Sequence, residues 1–290
     1  MAAEFTYSTK NAECAVAYAK FYAMHTRMEL VLPRLEQSVA QAIVQDVEQR
    51  VKQLERLMNR FDERSPLAVV NAVAASQSVE LDEELFMALE LCEAFRRGTQ
   101  GYFDVAASEQ QRVGAAYALD GKSHTVRLLS ADARINLGGF AKGFALERVC
   151  GVLREQGVES AVVNFGNSSI AALGHHPYGE WWPIGVANRR CAGVVAQEFR
   201  LCDSALSVSG RAESGEYHII NPHTGLCVAG EELIAVEGRS ALVAEVLSTA
   251  LYAAPHDVRA EIMAQYAGYR AVELYCYRDG TTERKIIEKI

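Results

Sequence analysis

Long apolar runs and clustered basic residues are both missing from this 290-residue sequence. No stretch reaches the roughly 18 consecutive apolar residues that a membrane-spanning helix requires, so no membrane span is expected. Acidic residues outnumber basic ones by 37 to 29, which gives a net charge of −8. The densest basic runs are the pairs at 96–97 and 189–190, too short for a nucleic-acid footprint, so no nucleic-acid partner is expected.

Cysteine motifs are missing as well. The seven cysteines are widely spaced, form no CxxC pair and are odd in number. This predicts buried, reduced thiols rather than a zinc site or a disulfide framework, and it favours a reducing compartment. The first residues, MAAEFTYSTKNAEC, lack the basic start and apolar run of a secretory signal, so the sequence as written predicts a cytoplasmic protein. The alternative is an exported protein from which a signal has been removed.

The overall composition is that of a folded globular chain. Half of the residues are hydrophobic and 23% are charged, so the chain can bury a large core. The length predicts a single domain over 1–290, or two intimate α/β lobes. Predicted helices and strands do not alternate strictly, which favours an α+β fold with mixed or antiparallel sheets and packed helices.

Apolar residues recur at steps of three and four after Ser38, which predicts one long amphipathic helix. Its predicted apolar face comprises Val39, Ile43, Val47, Val51, Leu54, Met58 and Phe61. The other predicted elements before residue 140 are a strand at 29–32, a loop at 62–71, a helix capped by Asp82 and ended by Gly98, a turn and buried strand at 101–106, and a strand pair at 124–128 and 133–137. Beyond residue 140 they are helices at 140–156, 240–253 and 257–266, strands at 161–165, 181–187, 199–202, 204–210, 217–220 and 271–277, and a hairpin turn at Asp279-Gly280.

Four segments carry residues suited to chemistry, and the first is INLGGFAKGFALERV at 135–149. Paired glycines let a backbone approach a ligand closely, and the following helix offers free N–H groups to a phosphate. Lys142 adds a positive charge there. The spacing fits neither a P-loop nor a Rossmann fingerprint, and the segment on its own also fits a tight strand–helix joint.

The other three segments are more weakly marked. Gly166 in VVNFGNSSIAALG (162–174) either opens space for a ligand or simply forms a turn. His218, in the polar loop within 204–225, is either a proton acceptor or a structural histidine. Glu245 and Thr249 lie four apart on one face of an apolar helix, so the carboxylate either binds a cation or lies partly exposed.

Taken in order, these segments resemble the ApbE family of FAD:protein FMN transferases. The resemblance also includes MHTRMEL (24–30), NRFDERSPLAVVN (59–71) and GYFDVA (101–106), and it spans about residues 20–255. It implies a T-fold-related architecture and a reaction that moves the FMN half of FAD onto a Thr or Ser hydroxyl of an acceptor protein. AMP would leave, and Mg²⁺ would assist.

The resemblance also implies a role for each matching residue. FAD, as substrate, would be contacted by Met24, Asn136, Lys142, Gly166 and His218, and the metal would be bound by Gly139, Glu245 and Thr249. His218 would be the catalytic residue, because it matches the histidine expected to activate the acceptor hydroxyl.

Four positions depart from the family pattern. Asn136 and Asn221 replace aspartates, Asn167 replaces the second glycine of a pair, and Glu245 replaces a metal-binding aspartate. Three hypotheses therefore stand side by side: an Mg²⁺-dependent FMN transferase, a catalytically degenerate flavin-binding paralogue, and an FAD pyrophosphatase that uses water as acceptor.

Overall fold

The computed structural model describes residues 3–10, 14–107, 114–211 and 217–288. Six helices are defined in these ranges: α1 (Gln37–Met58), α2 (Pro66–Val73), α3 (Glu83–Gly98), α4 (Ala141–Glu155), α5 (Ala241–Ala253) and α6 (His256–Met263). The strands defined there are β1 (Glu4–Ser8), β2 (Val16–Ala23), β3 (Thr26–Pro33), β4 (Val79–Glu80), β5 (Tyr117–Asp120), β6 (Thr125–Leu128), β7 (Ala161–Phe165), β8 (Ser169–Leu173), β9 (Trp182–Ala187), β10 (Val195–Leu201), β11 (Ser204–Ser209), β12 (Leu233–Gly238), β13 (Arg270–Cys276) and β14 (Thr282–Ile286).

Nine of these strands form one antiparallel sheet, in the order β1-β2-β3-β7-β8-β11-β12-β13-β14. Helices α1, α4 and α5 pack on the sheet. Side chains of β12 alternate between two cores: Ile234 and Val236 join α5, whereas Leu233 and Ala235 join the β9–β10 hairpin. Antiparallel sheets with packed helices confirm the predicted α+β class.

The long helix is α1, and its middle follows the predicted face. Ile43, Val47, Val51 and Leu54 are fully buried. The prediction is wrong at both ends of this face, because Val39 and Phe61 are exposed. The helix ends at Met58, so Phe61 lies beyond it and contributes nothing to the apolar face.

Side-chain caps set the starts of the other helices. Asp82 caps α3 as predicted, since its carboxylate accepts from the Glu84 N–H at 2.8 Å. The predicted loop at 62–71 is wrong, because it contains the start of α2. Ser65 caps that helix by accepting from the Ala68 N–H at 3.1 Å, and Pro66 occupies its first position.

Three predicted strands are not strands. Residues 101–106 form turns, and 217–220 contribute only the single bridge between Ile220 and Cys227. Residues 133–137 do not pair with β6, which lies between β4 and β5 instead. The backbone of residues 133–137 hydrogen-bonds to a side chain instead. The Asn71 amide accepts from the Ile135 N–H at 2.7 Å and donates to the Ile135 carbonyl at 2.9 Å. Strands β1, β2, β4, β5, β8 and β12 were not predicted.

Helices α4 and α5 approach closely at Gly143. A Cβ at this position would lie 2.8 Å from the Ala241 carbonyl oxygen and 2.8 Å from Leu242 Cα. Only glycine therefore fits without moving one helix against the other. This close approach brings the start of α4 beside the face of α5 that carries Glu245.

A buried ion cluster joins α6 to β13 and to the start of β12. The Arg259 guanidinium donates to Glu273 at 2.8 Å and to Glu232 at 2.9 Å, and all three residues are buried. The Tyr275 hydroxyl donates to the second oxygen of Glu273 at 3.0 Å. Because the charges are mutually satisfied, the burial of two carboxylates is tolerated.

All seven cysteines are free thiols, as predicted, but only four are buried. Cys202 and Cys227 are exposed and Cys191 is half-buried, which corrects the expectation of buried thiols throughout. Across the described ranges, no helix combines the length and apolar character needed to cross a lipid bilayer.

Candidate active site

Two adjoining cavities form one cleft, because they share Asn136, Gly138, Lys142, Gly166 and Ser168 in their walls. The hairpin cavity, of about 240 Å³, is lined further by Met24, His25, Thr26, Glu55, Met58, Asn59, Arg60, Phe61, Leu137 and Ala141. The helix cavity, of about 360 Å³, includes Gly139, Ser169, His218, Glu245 and Thr249. All eight residues assigned from the family resemblance line this cleft.

Met24 lies at the tip of the β2–β3 hairpin. Ala23 and Thr26 pair across the turn, and Met24 and His25 both have positive φ, at 49° and 61°. Two consecutive positive φ values are typical of a type I′ turn, which suits the twist of a hairpin. The Met24 N–H donates to Glu55 of α1 at 2.6 Å, so the tip is held against that helix.

Asn136 lies in the segment that leads into α4. Its N–H donates to the Val105 carbonyl at 2.6 Å, and its side-chain oxygen accepts from the Gly138 N–H at 3.1 Å. This local bond shapes the turn before the helix. Asn71 fixes the preceding Ile135 on both backbone groups, so the whole segment is anchored before it reaches the cleft.

Gly166 and Asn167 form the turn between β7 and β8, and both have positive φ, at 68° and 57°. A Cβ on Gly166 would lie 2.7 Å from the Thr26 hydroxyl oxygen, so a side chain is excluded there. Asn167 keeps the left-handed conformation that asparagine tolerates. Its N–H and its side-chain oxygen both bond the Asn164 amide, at 3.0 and 2.9 Å, so the amide helps to hold the turn.

Glu245 is the buried charge of the cleft, with a side chain only 3% exposed. One carboxylate oxygen accepts from the Lys142 ammonium at 2.5 Å, and the other accepts from the Ser169 hydroxyl at 3.1 Å. Lys142 comes from the first turn of α4 and Glu245 from the middle of α5. The close approach at Gly143 makes this pairing possible.

A chain of hydroxyl groups continues from Glu245 along α5. The Ser248 hydroxyl donates to the Glu245 carbonyl at 3.0 Å and lies 3.1 and 2.8 Å from the hydroxyls of Ser207 and Ser209. Ser209 lies 3.4 Å from the Thr249 hydroxyl. These serines were not predicted as site residues, although Ser207 and Ser209 stand two apart on β11 and so share a face.

Gly139 lies against Thr249. A Cβ built on Gly139 would be 3.3 Å from the Thr249 hydroxyl oxygen, so a larger residue would crowd the metal position implied by the resemblance. The available donors there are a carboxylate, a hydroxyl and a backbone carbonyl. These are hard oxygen ligands, and Mg²⁺ needs only one or two carboxylates when phosphates and water complete its shell. The donor set therefore fits the metal.

His218 is exposed and lines the helix cavity, whereas Asn221 does not contribute to the cleft. The Asn221 amide donates to the Ala253 carbonyl at 2.9 Å and accepts from the His223 N–H at 2.9 Å. An aspartate could not donate to that carbonyl. The replacement at this position is therefore explained by turn structure.

The described walls of the cleft carry a slight excess of positive charge. Four basic residues, Arg60, Lys142, Arg189 and Arg211, face three acidic ones, Glu55, Asp104 and Glu245. The three arginines were not among the residues predicted from the sequence. Arg189 donates to the Arg211 carbonyl, and the Arg211 guanidinium lies over the Tyr217 ring at 4.7 Å. Such a lining favours an anionic ligand.

A family model described as ApbE family matches residues 24–272, which is most of the chain. The chain belongs to the ApbE family. This confirms the resemblance stated from sequence, and the eight residues gathered in the cleft lie within the matched range.

Curated relatives carry the name FAD:protein FMN transferase. The one from Treponema pallidum (strain Nichols) is 22% identical over 297 residues, covering 86% of this chain and 81% of its own length. The one from Chlamydia muridarum is 23% identical and covers 62% of this chain and 65% of its own length. A third, from Rhodobacter capsulatus, is 25% identical and is covered over 54% of its length.

Solved structures of this ApbE family share the fold. The ApbE protein of Thermotoga maritima superposes with a TM-score of 0.79 at 23% identity, covering 93% of this chain and 97% of that one. The flavin transferase ApbE of Vibrio cholerae gives the same TM-score at 16% identity, covering 98% and 97%. At these identities the likeness concerns the fold alone.

Proposed function

We propose that this protein is an FAD:protein FMN transferase that moves FMN from FAD onto a Thr or Ser hydroxyl of an acceptor protein and releases AMP. Family membership and the names of its relatives support the activity. The observation that carries the proposal is the convergence of eight residues, from separate segments between Met24 and Thr249, on one cleft with a positive lining.

The chain's own residues suit each part of this transfer. Lys142 and the free N–H groups at the start of α4 would bind the diphosphate. His218 would accept the proton of the acceptor hydroxyl as its oxygen bonds to the FMN phosphorus. The bridging oxygen then leaves with AMP as its bond to that phosphorus breaks. Phosphoryl transfer depends mainly on such positioning and charge neutralisation.

Magnesium would be held by Glu245, Thr249 and the Gly139 carbonyl. When bound, it would neutralise charge on the diphosphate oxygens. Glu245 is one methylene longer than the aspartate of the family pattern, yet it supplies the same carboxylate donor.

A second candidate is a catalytically degenerate flavin-binding paralogue. The pairing of Glu245 with Lys142 at 2.5 Å favours it, because this carboxylate already has a cation as partner. FAD pyrophosphatase activity is the third possibility, with water in place of the acceptor hydroxyl.

One assay separates these functions. The protein is incubated with FAD and Mg²⁺, with a threonine-bearing acceptor protein or with the same acceptor after Thr→Val replacement at the modified position. We expect AMP release together with flavin fluorescence on the acceptor, lost with the valine acceptor and with His218→Ala. AMP without labelling would identify a pyrophosphatase. FAD binding without turnover would identify the degenerate paralogue.

A further inference from the structure

Lys142 has two competing uses in this cleft. Its ammonium lies 2.5 Å from the buried Glu245 carboxylate, which is the metal donor of the proposed function. Its side chain is still 21% exposed and lines both cavities, where a diphosphate would lie. It also belongs to the first turn of α4, where no side chain caps the free N–H groups. One lysine therefore stands between an anionic ligand and a carboxylate.

The Glu245 carboxylate cannot bind two cations well at the same time, because they would repel each other. Ser169 engages its second oxygen at 3.1 Å, and the side chain is buried, so water cannot screen an ammonium from a divalent ion beside it. Like charges in a buried site repel strongly. A metal must therefore displace Lys142 from Glu245 before it binds well.

We propose that Lys142 is a switching residue that couples metal binding to diphosphate binding in this chain. Without ligand it occupies Glu245 and weakens metal binding. An anionic diphosphate draws the ammonium away and frees the carboxylate for the metal. Such coupling is reciprocal, so a bound metal must strengthen diphosphate binding by the same factor. The metal and the diphosphate are ligands of the proposed function, so the coupling rests on that function. The ion pair between Lys142 and Glu245 is observed in the chain itself.

The first test measures Mn²⁺ binding to the ligand-free protein by electron paramagnetic resonance. We expect Lys142→Met to bind Mn²⁺ at least tenfold more tightly than the wild type, because the competing ammonium is gone. Lys142→Arg keeps the charge and should bind as weakly as the wild type. Glu245→Gln should abolish binding in either background. Equal or weaker binding by Lys142→Met would overturn the proposal.

Lys142→Met leaves a buried carboxylate unpaired, so it is expected to be less stable. The same variant then gives a second readout, since a metal that binds only the folded protein raises its melting temperature. Mn²⁺ should raise the melting temperature of Lys142→Met more than that of the wild type. If the methionine variant does not fold, Lys142→Gln takes its place in both measurements.

The second test measures FAD binding by fluorescence in EDTA. Glu245→Gln should strengthen FAD binding several-fold, because Lys142 is released toward the diphosphate. The same change in a Lys142→Met background should have little effect. Equal effects in both backgrounds would contradict the switch. Failure of all forms to bind FAD, even with metal, would instead refute the proposed function and leave the Mn²⁺ result to decide on the switch.

Discussion

The close approach of α4 and α5 yields a quantitative prediction through Gly143. A Cβ at this position would meet backbone atoms of Ala241 and Leu242 at 2.8 Å and the Glu245 Cβ at 3.0 Å. Backbone cannot move aside as a flexible side chain can. Gly143→Ala must therefore push α5 away from α4. This movement separates Lys142 on α4 from Glu245 on α5.

The expected magnitude follows from a matched control on the same helix. Gly151 also lies in α4, but a Cβ there would meet nothing within 4 Å. Gly151→Ala should stabilise the protein by about 0.5–1 kcal/mol through helix propensity and lower unfolded-state entropy. Gly143→Ala has the same gain, offset by an overpacking cost of about 1–3 kcal/mol. The difference between the two variants isolates the cost of the close approach.

Urea unfolding followed by circular dichroism measures both variants. We expect the midpoint of Gly151→Ala to rise and that of Gly143→Ala to fall, with similar slopes. Gly143→Ala should also bind FAD more weakly, since the start of α4 shifts. If both variants were stabilised equally, the helices would not be in contact as described, and the basis for the pairing of Lys142 with Glu245 would be lost.

Three further predictions concern buried polar groups. Arg259→Ala should cost about 3–5 kcal/mol in urea unfolding, because it removes the arginine that two buried carboxylates share, whereas the exposed Arg270→Ala should cost less than about 1 kcal/mol. Burial raises the pKa of Glu273, but the hydrogen bond and charge of Arg259 outweigh it and hold that pKa below its ordinary value of 4.5. The stability this carboxylate contributes is therefore present above pH 4.5 and lost as pH falls through the lowered pKa, so Glu273→Gln should flatten the acid side of the stability profile. Asn71→Ala should cost about 1–3 kcal/mol and raise the KM for FAD, because both backbone groups of Ile135 lose their partner.

Helix prediction succeeded where the signal is local. The apolar period of α1 and the Asp82 cap of α3 depend on residues a few positions apart, and the structure confirms both. The start of α2 carries an equally local signal in Ser65-Pro66, although the prediction for this segment is a loop. Its apolar residues are few and its helix has only eight residues, so periodicity alone gave little support.

Strand prediction failed where bonding partners are distant. Ala133, Ile135 and Leu137 are buried in alternation, as in a strand, yet the segment bonds to an asparagine side chain 64 residues away. No local pattern can reveal that partner. The apolar run of β12 is a usable signal for a buried strand, but the prediction contains no strand there.

The site itself could be predicted only as a set of residues, because its geometry depends on contacts across the chain. Lys142 and Glu245 are 103 positions apart, and neither position alone indicates a pair. Their contact depends on Gly143, whose absent side chain lets α5 approach. The glycine-rich start of α4 therefore has a packing role in addition to the phosphate-binding role suggested by the sequence.

One departure from the family pattern, Asn136, changes the charge of the cleft. An aspartate at position 136 would bring the described lining of the cleft from an excess of one positive charge to neutrality. With Asn136, the local bond to the Gly138 N–H is kept while that negative charge is removed. A cleft in which a lysine already neutralises Glu245 thus retains attraction for a diphosphate before any metal binds. Asn136 and the ion pair of Lys142 with Glu245 therefore act in the same direction, because both reduce the negative charge in the cleft.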